Sequence, residues 1–308
     1  MSVYRIGLVG AGKIVRDQHL GAIAATPGLE LVAVADPTVS VAGVASYPDL
    51  TAMLQGQPGL DAVAICTPTH LRHELARQAL ESGKAVLLEK PPGATLAEIE
   101  DMKALAAERD AVLFAAWHSR FAPGIATAFD WLQGKTVTAV AIDWHEDVRV
   151  WHPGQDWIWE AGGMGVFDPG INALSIATHL LPAPFFLKRA ALEVPVNCQT
   201  PIAAKLAFRT AAGVAVDADF DFRHEDPPRW DLRIDTDGGT LKLEGGGARL
   251  VIDGAVVIDE PEREYQGVYA HFRDLLTRGD SDVDVAPLRH LADAMLLGHR
   301  RVVEEFVE

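Results

Sequence analysis

Short, almost wholly apolar runs alternate with amphipathic stretches through the first 120 residues, and this alternation constrains the fold more than any other feature. The runs are Tyr4–Val9, Glu30–Ala35, Asp61–Cys66, Ala85–Leu88 and Ala111–Ala115, with helical patterns near Ile14–Ala25, His70–Ser82 and Leu96–Glu108 between them. A strand apolar on both sides has to be covered on both faces, which an antiparallel hairpin sheet with one wet face does not provide. Strands alternating with helices supply that cover, and right-handed crossovers wind them into a doubly wound parallel sheet.

Past Arg120 the pattern changes. Gly162-Gly-Met-Gly165 reads as a loop, and Asp168-Pro169 as a helix start, with Asp as N-cap and Pro in the first turn of a helix running to about Leu181. Alternating segments follow at Ala203–Arg209, Val214–Arg223, Trp230–Thr236, Thr240–Glu244, Arg249–Ile252 and Ala255–Asp259. The connectors Ala211-Ala-Gly213, Asp237-Gly-Gly239 and Asp253-Gly254 carry hairpin chemistry, so these segments predict an antiparallel meander. Helical patterns return near Gly267–Arg278 and Pro287–Phe306. The expected division is 1–120 and 121–308, with the C-terminal helix free to pack back on the first domain.

The first strand runs into Gly10-Ala11-Gly12-Lys13-Ile14. Gly10 permits a tight turn, and Gly12 keeps a Cβ out of the way of a pyrophosphate that the helix-start N–H groups would face. Val15 stands where a dinucleotide fingerprint has its third glycine, so the motif draws its weight from the strand before it and the helix after it. The second strand ends in Asp36, which can accept from the adenosine ribose hydroxyls and repels a 2′-phosphate. This favours NAD, with NADP possible.

Charge and composition exclude several classes. The 308 residues carry 27 Lys+Arg against 43 Asp+Glu, a net charge of −16. Such an acidic chain repels phosphate backbones and anionic lipid, so neither nucleic acid nor membrane is an expected partner. The two cysteines, Cys66 and Cys198, offer no disulfide framework, and His145, His152 and His179 lack ligand spacing, so no metal is expected. The chain enters its first strand at once and holds no long apolar run; a cytoplasmic location is the expectation.

The runs Cys66-Thr-Pro-Thr-His-Leu, Ala79-Leu-Glu-Ser-Gly-Lys84, Glu89-Lys90-Pro91 and Gly162-Gly-Met-Gly165 leading to Asp168-Pro-Gly-Ile-Asn172 resemble the Gfo/Idh/MocA family of nicotinamide-dependent sugar oxidoreductases. The resemblance implies an α/β chain: an N-terminal Rossmann domain, then a C-terminal α/β domain with a large open, mostly antiparallel sheet. That sheet is often used for oligomer contacts, so a homo-oligomer, dimer or tetramer, is implied. Within the family the chain bears a closer resemblance to bacterial L-arabinose and D-galactose 1-dehydrogenases, through Lys13-Ile-Val-Arg-Asp-Gln-His19, Trp117-His-Ser-Arg120, Trp151-His-Pro-Gly-Gln-Asp-Trp-Ile-Trp159 and Gln199-Thr-Pro-Ile-Ala203. The implied reaction is aldose plus NAD(P)⁺ to aldonolactone plus NAD(P)H. Many relatives carry histidine where this chain has Asn172, and an amide takes up no proton at neutral pH.

Oxidation at C1 needs a group to take the hydroxyl proton. Asp168 and Asn172 are four residues apart on one helix and share a face. Asp168 is read as the base and Asn172 as a hydroxyl-orienting partner; the plain alternative is that Asp168 only caps its helix. Lys90, at the carboxyl end of a parallel strand, is read as partner of the C1 oxygen and as rival base. Glu89 is read as a cofactor or Lys90 neighbour, and Thr67, Pro68 and His70 as lining the nicotinamide side, with Gly10, Gly12, Lys13, Ile14 and Asp36 on the rest of the cofactor. Trp151 and Trp230 are wall candidates for the apolar face of a sugar, with His118 and Glu146 as hydroxyl readers. Trp131, Trp144, Trp157 and Trp159 are read as core. Two further readings stay open: another sugar, inositol or anhydrosugar oxidoreductase, or an inactive nicotinamide- or sugar-sensing regulator.

Overall fold

The structure, a computed structural model, describes residues 3–308. The chain forms two compact units, Met1–His118 with Glu264–Val285, and Ser119–Arg263 with Ala286–Glu308. Along the first unit run β1 (Tyr4–Val9), α1 (13–25), β2 (Leu29–Ala35), β3 (Ala45–Tyr47), α2 (Leu50–Gly56) and β4 (Ala62–Ile65). They are followed by α3 (Thr69–Glu81), β5 (Ala85–Glu89), α4 (Leu96–Glu108) and β6 (Leu113–Ala116). The sheet order is β3-β2-β1-β4-β5-β6, parallel throughout. Every residue of β4, β5 and β6 is buried, as two-sided cover demands. The order turns back between β1 and β4, and open α/β sheets bind ligands outside the strand ends at such a switch point.

In the first unit two elements have no counterpart among the expected ones, and in the second Ile125–Leu132, Val137–His145, Val148–Trp151 and Phe185–Pro195 have none. β3 is a short, largely exposed strand at the sheet edge, and α2 is two turns that bury only Leu50 and Met53, too brief to print a period. The predicted helix from Ile14 is real, but its Val15–His19 turn is π-helical before Leu20–Ala25 becomes regular. π-turns occur preferentially at functional sites.

The second unit contains α5 (Ile125–Leu132), β7 (Val137–His145), α6 (Val148–Trp151), α7 (Phe167–Leu180), β8 (Phe185–Pro195), β9 (Ala203–Thr210), β10 (Ala215–Asp221) and β11 (Arg229–Thr236). β12 (Gly239–Glu244), β13 (Arg249–Ile252) and β14 (Ala255–Asp259) complete the run; α8 (Glu264–Arg278) belongs to the first unit, and α9 (Ala286–Leu297) and β15 (His299–Val303) return to the second. The nine-stranded sheet has the order β14-β13-β12-β11-β7-β10-β9-β8-β15. Its inner strands alternate buried and more exposed positions, so one face is covered, α7 and α9 packing there, and the other carries ion-pair ladders such as Lys205–Asp219 at 3.1 Å and Lys242–Asp231 at 2.9 Å.

Three expectations are corrected here. The meander is not continuous: β7 inserts between β10 and β11, pairing parallel to the first and antiparallel to the second. The final helix does not reach Phe306; it stops at Leu297, and His299–Val303 pairs parallel with β8. A Cβ on Gly298 would sit 2.4 Å from the Ala294 carbonyl and 2.7 Å from Leu192, so the chain turns at a residue that must lack one. Lastly, Asp168 is not an N-cap: Val166 holds that position, and Asp168 lies inside the first turn of α7.

Candidate active site

In the first unit the candidate cofactor residues gather at the carboxyl ends of β1, β2, β4 and β5. Gly10 has φ 87°, a left-handed conformation that glycine tolerates. A Cβ there would press within 3.2 Å of the Cys66–Thr67 backbone, so the β1 loop and the end of β4 approach as closely as they do only through this glycine. A Cβ on Gly12 would meet nothing within 4 Å; the space beside the loop is open. Next to Gly10, the Thr67 hydroxyl oxygen is buried with no hydrogen-bond partner. An open glycine cradle, a helix start and an orphaned hydroxyl together fit a dinucleotide. Lys13 and Ile14 lie exposed at that helix start, with Lys13 paired to Asp17, and Pro68 and His70 are exposed after β4.

Asp36 does more than end β2. Its Oδ2 accepts from the Ala11 N–H at 2.8 Å, and its Oδ1 from the N–H groups of Thr38 and Val39, both at 2.9 Å. Burial tends to raise its pKa, but these backbone donors outweigh burial and hold it below the usual carboxylate value. The carboxylate thus fixes the glycine loop, while Oδ2, with one donor, keeps acceptor capacity for a ribose hydroxyl.

Glu89 and Lys90 stand on a buried network. Glu89 Oε1 accepts from His19 Nε2 at 3.0 Å and from the Tyr265 hydroxyl at 2.7 Å; Oε2 accepts from the Lys90 backbone N–H at 2.9 Å. Nδ1 of His19 lies 2.7 Å from the Tyr269 hydroxyl. Burial alone would push the Glu89 pKa up, yet the His19 hydrogen bond and charge, with His118 and Arg72 behind them, bring it down to about 2. Burial opposes a charged His19, and Cys66, Tyr269 and Glu89 overcome it, so the imidazole pKa is well above its ordinary value. For His118 too, burial is outweighed, chiefly by Glu264, while Lys90 pulls the other way. Arg72, buried on α3, donates to the carbonyls of Thr67 at 2.9 Å and Glu89 at 2.6 Å and to that of Pro91, tying the ends of β4 and β5 together.

Glu89, expected as a cofactor or Lys90 neighbour, is turned inward and holds Lys90 through its backbone N–H. His118, expected as a hydroxyl reader, bonds Glu264 through Nδ1 and stacks on Tyr265 at 5.4 Å. His19, Arg72 and Tyr265 had no local signal: the partners of His19 lie 70 and 250 residues away in sequence.

In the second unit, Asp168 is 8 % exposed and Asn172 follows one turn later on α7, so the pair shares a helix face as expected. Trp151 and Trp230 meet edge to face at 4.9 Å, and Trp151 is 45 % exposed, which suits a wall more than a core. Trp144 is core, but Trp157, expected there, is 49 % exposed. Glu146 is buried: its Oε2 accepts from Trp230 Nε1 at 2.8 Å and its Oε1 meets His152 Nε2 at 3.1 Å. On its other side, His152 Nδ1 stands 3.9 Å from Asp168 Oδ2. His152, set aside in sequence as a metal ligand for its spacing, therefore stands between Glu146 and Asp168, bonded to the first only. Among the described residues there is no metal-holding cluster and no helix long and apolar enough to cross a membrane.

The chain is similar along its length to known proteins. Residues 4–117 match the oxidoreductase family with an NAD-binding Rossmann fold. Galactose 1-dehydrogenase from Pseudomonas fluorescens is 48 % identical over 312 aligned residues, covering 100 % of both chains. The crystal structure of D-galactose-1-dehydrogenase from Rhizobium etli superposes with a TM-score of 0.97 at 52 % identity, covering 100 % of this chain and 99 % of that one. A 3-ketoreductase from Actinomadura kijaniata, solved with NADP and TDP-benzene, shares the fold at a TM-score of 0.83 and 19 % identity, over 99 % of this chain and 100 % of that one. With strand-end chemistry at the switch point and a relative matched along its full length, the chain belongs to the Gfo/Idh/MocA oxidoreductase family.

Proposed function

We propose that the protein is an NAD(P)-dependent aldose 1-dehydrogenase that oxidises the anomeric carbon of D-galactose, and of L-arabinose with its matching C2–C4 hydroxyls, to the aldonolactone. The observation that carries this reading is 48 % identity to a galactose 1-dehydrogenase along the whole chain. When bound, the nicotinamide supplies the acceptor for the hydrogen and electron pair leaving C1.

The first unit is the dinucleotide-binding domain in this reading. N–H groups of Gly12, Lys13 and Ile14 hold the pyrophosphate, and Asp36 takes the ribose hydroxyls and disfavours a 2′-phosphate, which makes NAD the preferred form. Thr67 turns its hydroxyl to the cofactor, with Pro68 and His70 lining the same side. Glu89 and Arg72 fix the end of β5, so that the Lys90 ammonium binds the C1 oxygen and stabilises negative charge developing there.

The second unit binds sugar and supplies the base. Asp168 takes the anomeric hydroxyl proton; Asn172, which cannot titrate, orients a hydroxyl by hydrogen bonding. Trp151 and Trp230 cover the apolar C–H face of the pyranose. Homo-oligomerisation through the open sheet face and a cytoplasmic location belong to the same proposal.

A screen of NADH and NADPH formation across aldopentoses, aldohexoses and inositols tests the reading. Galactose and arabinose should lead, with NAD ahead of NADP. An inositol as best substrate, or cofactor binding without turnover of any aldose, would overturn it.

A further inference from the structure

We propose that His152 is a proton-relay and positioning residue: it receives the anomeric proton from Asp168 and is held for that task by Glu146. The inference rests on the reading of Asp168 as base and extends it to where the proton goes next.

Glu146 is the fixed point. Its side chain is 3 % exposed, its backbone N–H donates to the Asp221 carbonyl at 3.0 Å, and its own carbonyl accepts from His224 N–H at 3.3 Å. One carboxylate oxygen takes the Trp230 indole N–H at 2.8 Å and the other faces His152 Nε2 at 3.1 Å. A ring nitrogen facing a carboxylate acceptor has to present its hydrogen, which assigns the Nε2–H tautomer and puts the lone pair on Nδ1. That lone pair stands 3.9 Å from Asp168 Oδ2.

Two acceptors facing each other repel, and 3.9 Å is beyond a hydrogen bond. The sign of the contact reverses once Asp168 is protonated, because its O–H then points at a lone pair and the gap can close, as catalytic contacts do between resting and reacting states. The balance is simple. The anomeric O–H bond breaks and its proton goes to Asp168, while C1–H leaves with its electron pair to the nicotinamide and C1=O forms. The Asp168 O–H bond then breaks and Nδ1–H forms, giving an imidazolium between two carboxylates. His152 is 15 % exposed, which gives the proton an exit to water, so one H⁺ is released per turnover and Asp168 is ionised again.

The test uses the full-length chain with D-galactose and NAD. Selective ¹⁵N-histidine NMR without cofactor should find His152 with hydrogen on Nε2 and a bare Nδ1. His152→Ala should lower kcat by about 10- to 100-fold with KM within about threefold, and added imidazole should restore part of the loss. His152→Gln keeps bulk and an amide donor toward Glu146; it should lose a similar factor and recover with rising buffer concentration, separating proton transfer from packing. An Nδ1–H tautomer, or a loss that neither imidazole nor buffer relieves, overturns the relay. Asp168→Asn should fall at least as far with no rescue. Wild-type turnover in Asp168→Asn would instead sink the base assignment. If the parent protein turns over no galactose, the functional reading fails, and the tautomer alone decides whether Glu146 orients His152.

Discussion

Each unit sets a histidine against a buried glutamate, and they do so with opposite completeness. In the first, His19 is fully enclosed and both ring nitrogens are matched, to Glu89 at 3.0 Å and Tyr269 at 2.7 Å. Glu89 is likewise complete, with three donors on its two oxygens. In the second, His152 is matched on one side only; its other nitrogen stands off from Asp168 at 3.9 Å. A closed network locks geometry, here the backbone of Lys90. One with a gap keeps the capacity to accept a proton. A buried histidine–carboxylate pair is therefore not a functional signature in itself; the unmatched nitrogen is what distinguishes the two.

The comparison can be broken most severely at Asp168. Asp168→Ala should reduce kcat by about 10²- to 10⁴-fold while cofactor binding, followed by NADH fluorescence, stays near wild type. Near-normal turnover would remove the second network from the chemistry.

Next in size is the first network, whose loss should register as stability. Glu89→Leu strands a charged, buried His19 and should cost about 3–5 kcal/mol in urea unfolding. The pH dependence follows from the shifts. Glu89, brought from 4.5 to about 2, contributes stability that is full above pH 4.5 and fades as pH falls toward about 2. His19, raised above 6.5, contributes stability that is full below pH 6.5 and is lost as pH climbs through its elevated value. The pair is at full strength between pH 4.5 and 6.5, so the deficit of Glu89→Leu should be largest there and shrink on acidification. A deficit independent of pH would mean the pair is not ionised.

A smaller effect is expected at the ribose end. Asp36→Ser with Pro37→Arg should move the NADP to NAD preference about tenfold, roughly 1.4 kcal/mol. Because Asp36 also holds the Ala11 N–H at 2.8 Å, KM for both cofactors should rise. Unchanged selectivity would leave Asp36 with only its loop-fixing role. Smallest is Trp151→Ala, which should raise sugar KM several-fold. Its contact with Trp230 is worth about 0.5–1.5 kcal/mol, so Tm should fall by no more than about 4 °C. An effect confined to Tm would make Trp151 a packing residue.

Much of the fold was legible where one element carries its own period. β1 at Tyr4–Val9, α4 at Leu96–Glu108 and the β13–β14 hairpin around Asp253-Gly254 fall where their patterns predict. The edge pieces β3 and α2 and the strand β7 did not announce themselves, and the tail after Gly298 kept a helical pattern although pairing with β8 makes it a strand. Of the candidate site, the glycine loop, Asp36, Lys90 and the Asp168–Asn172 face were readable because each is a local motif at an element's end. His19, Arg72 and His152 were not: the partners of His19 lie far along the chain, and those of Arg72 and His152, though nearer, are brought to them by turns that carry no periodic signal.

Local pattern in the chain encodes most of the elements and the chemistry carried at their ends, since periodicity, turn residues and strand-end motifs act over a few neighbouring positions. The partners of the buried polar groups are set by the folded chain instead: Glu89 is held by His19 and Tyr265, and Glu146 takes the indole N–H of Trp230. Hydrogen bonds between residues tens to hundreds of positions apart are fixed by sheet order and side-chain packing, and no local pattern encodes them.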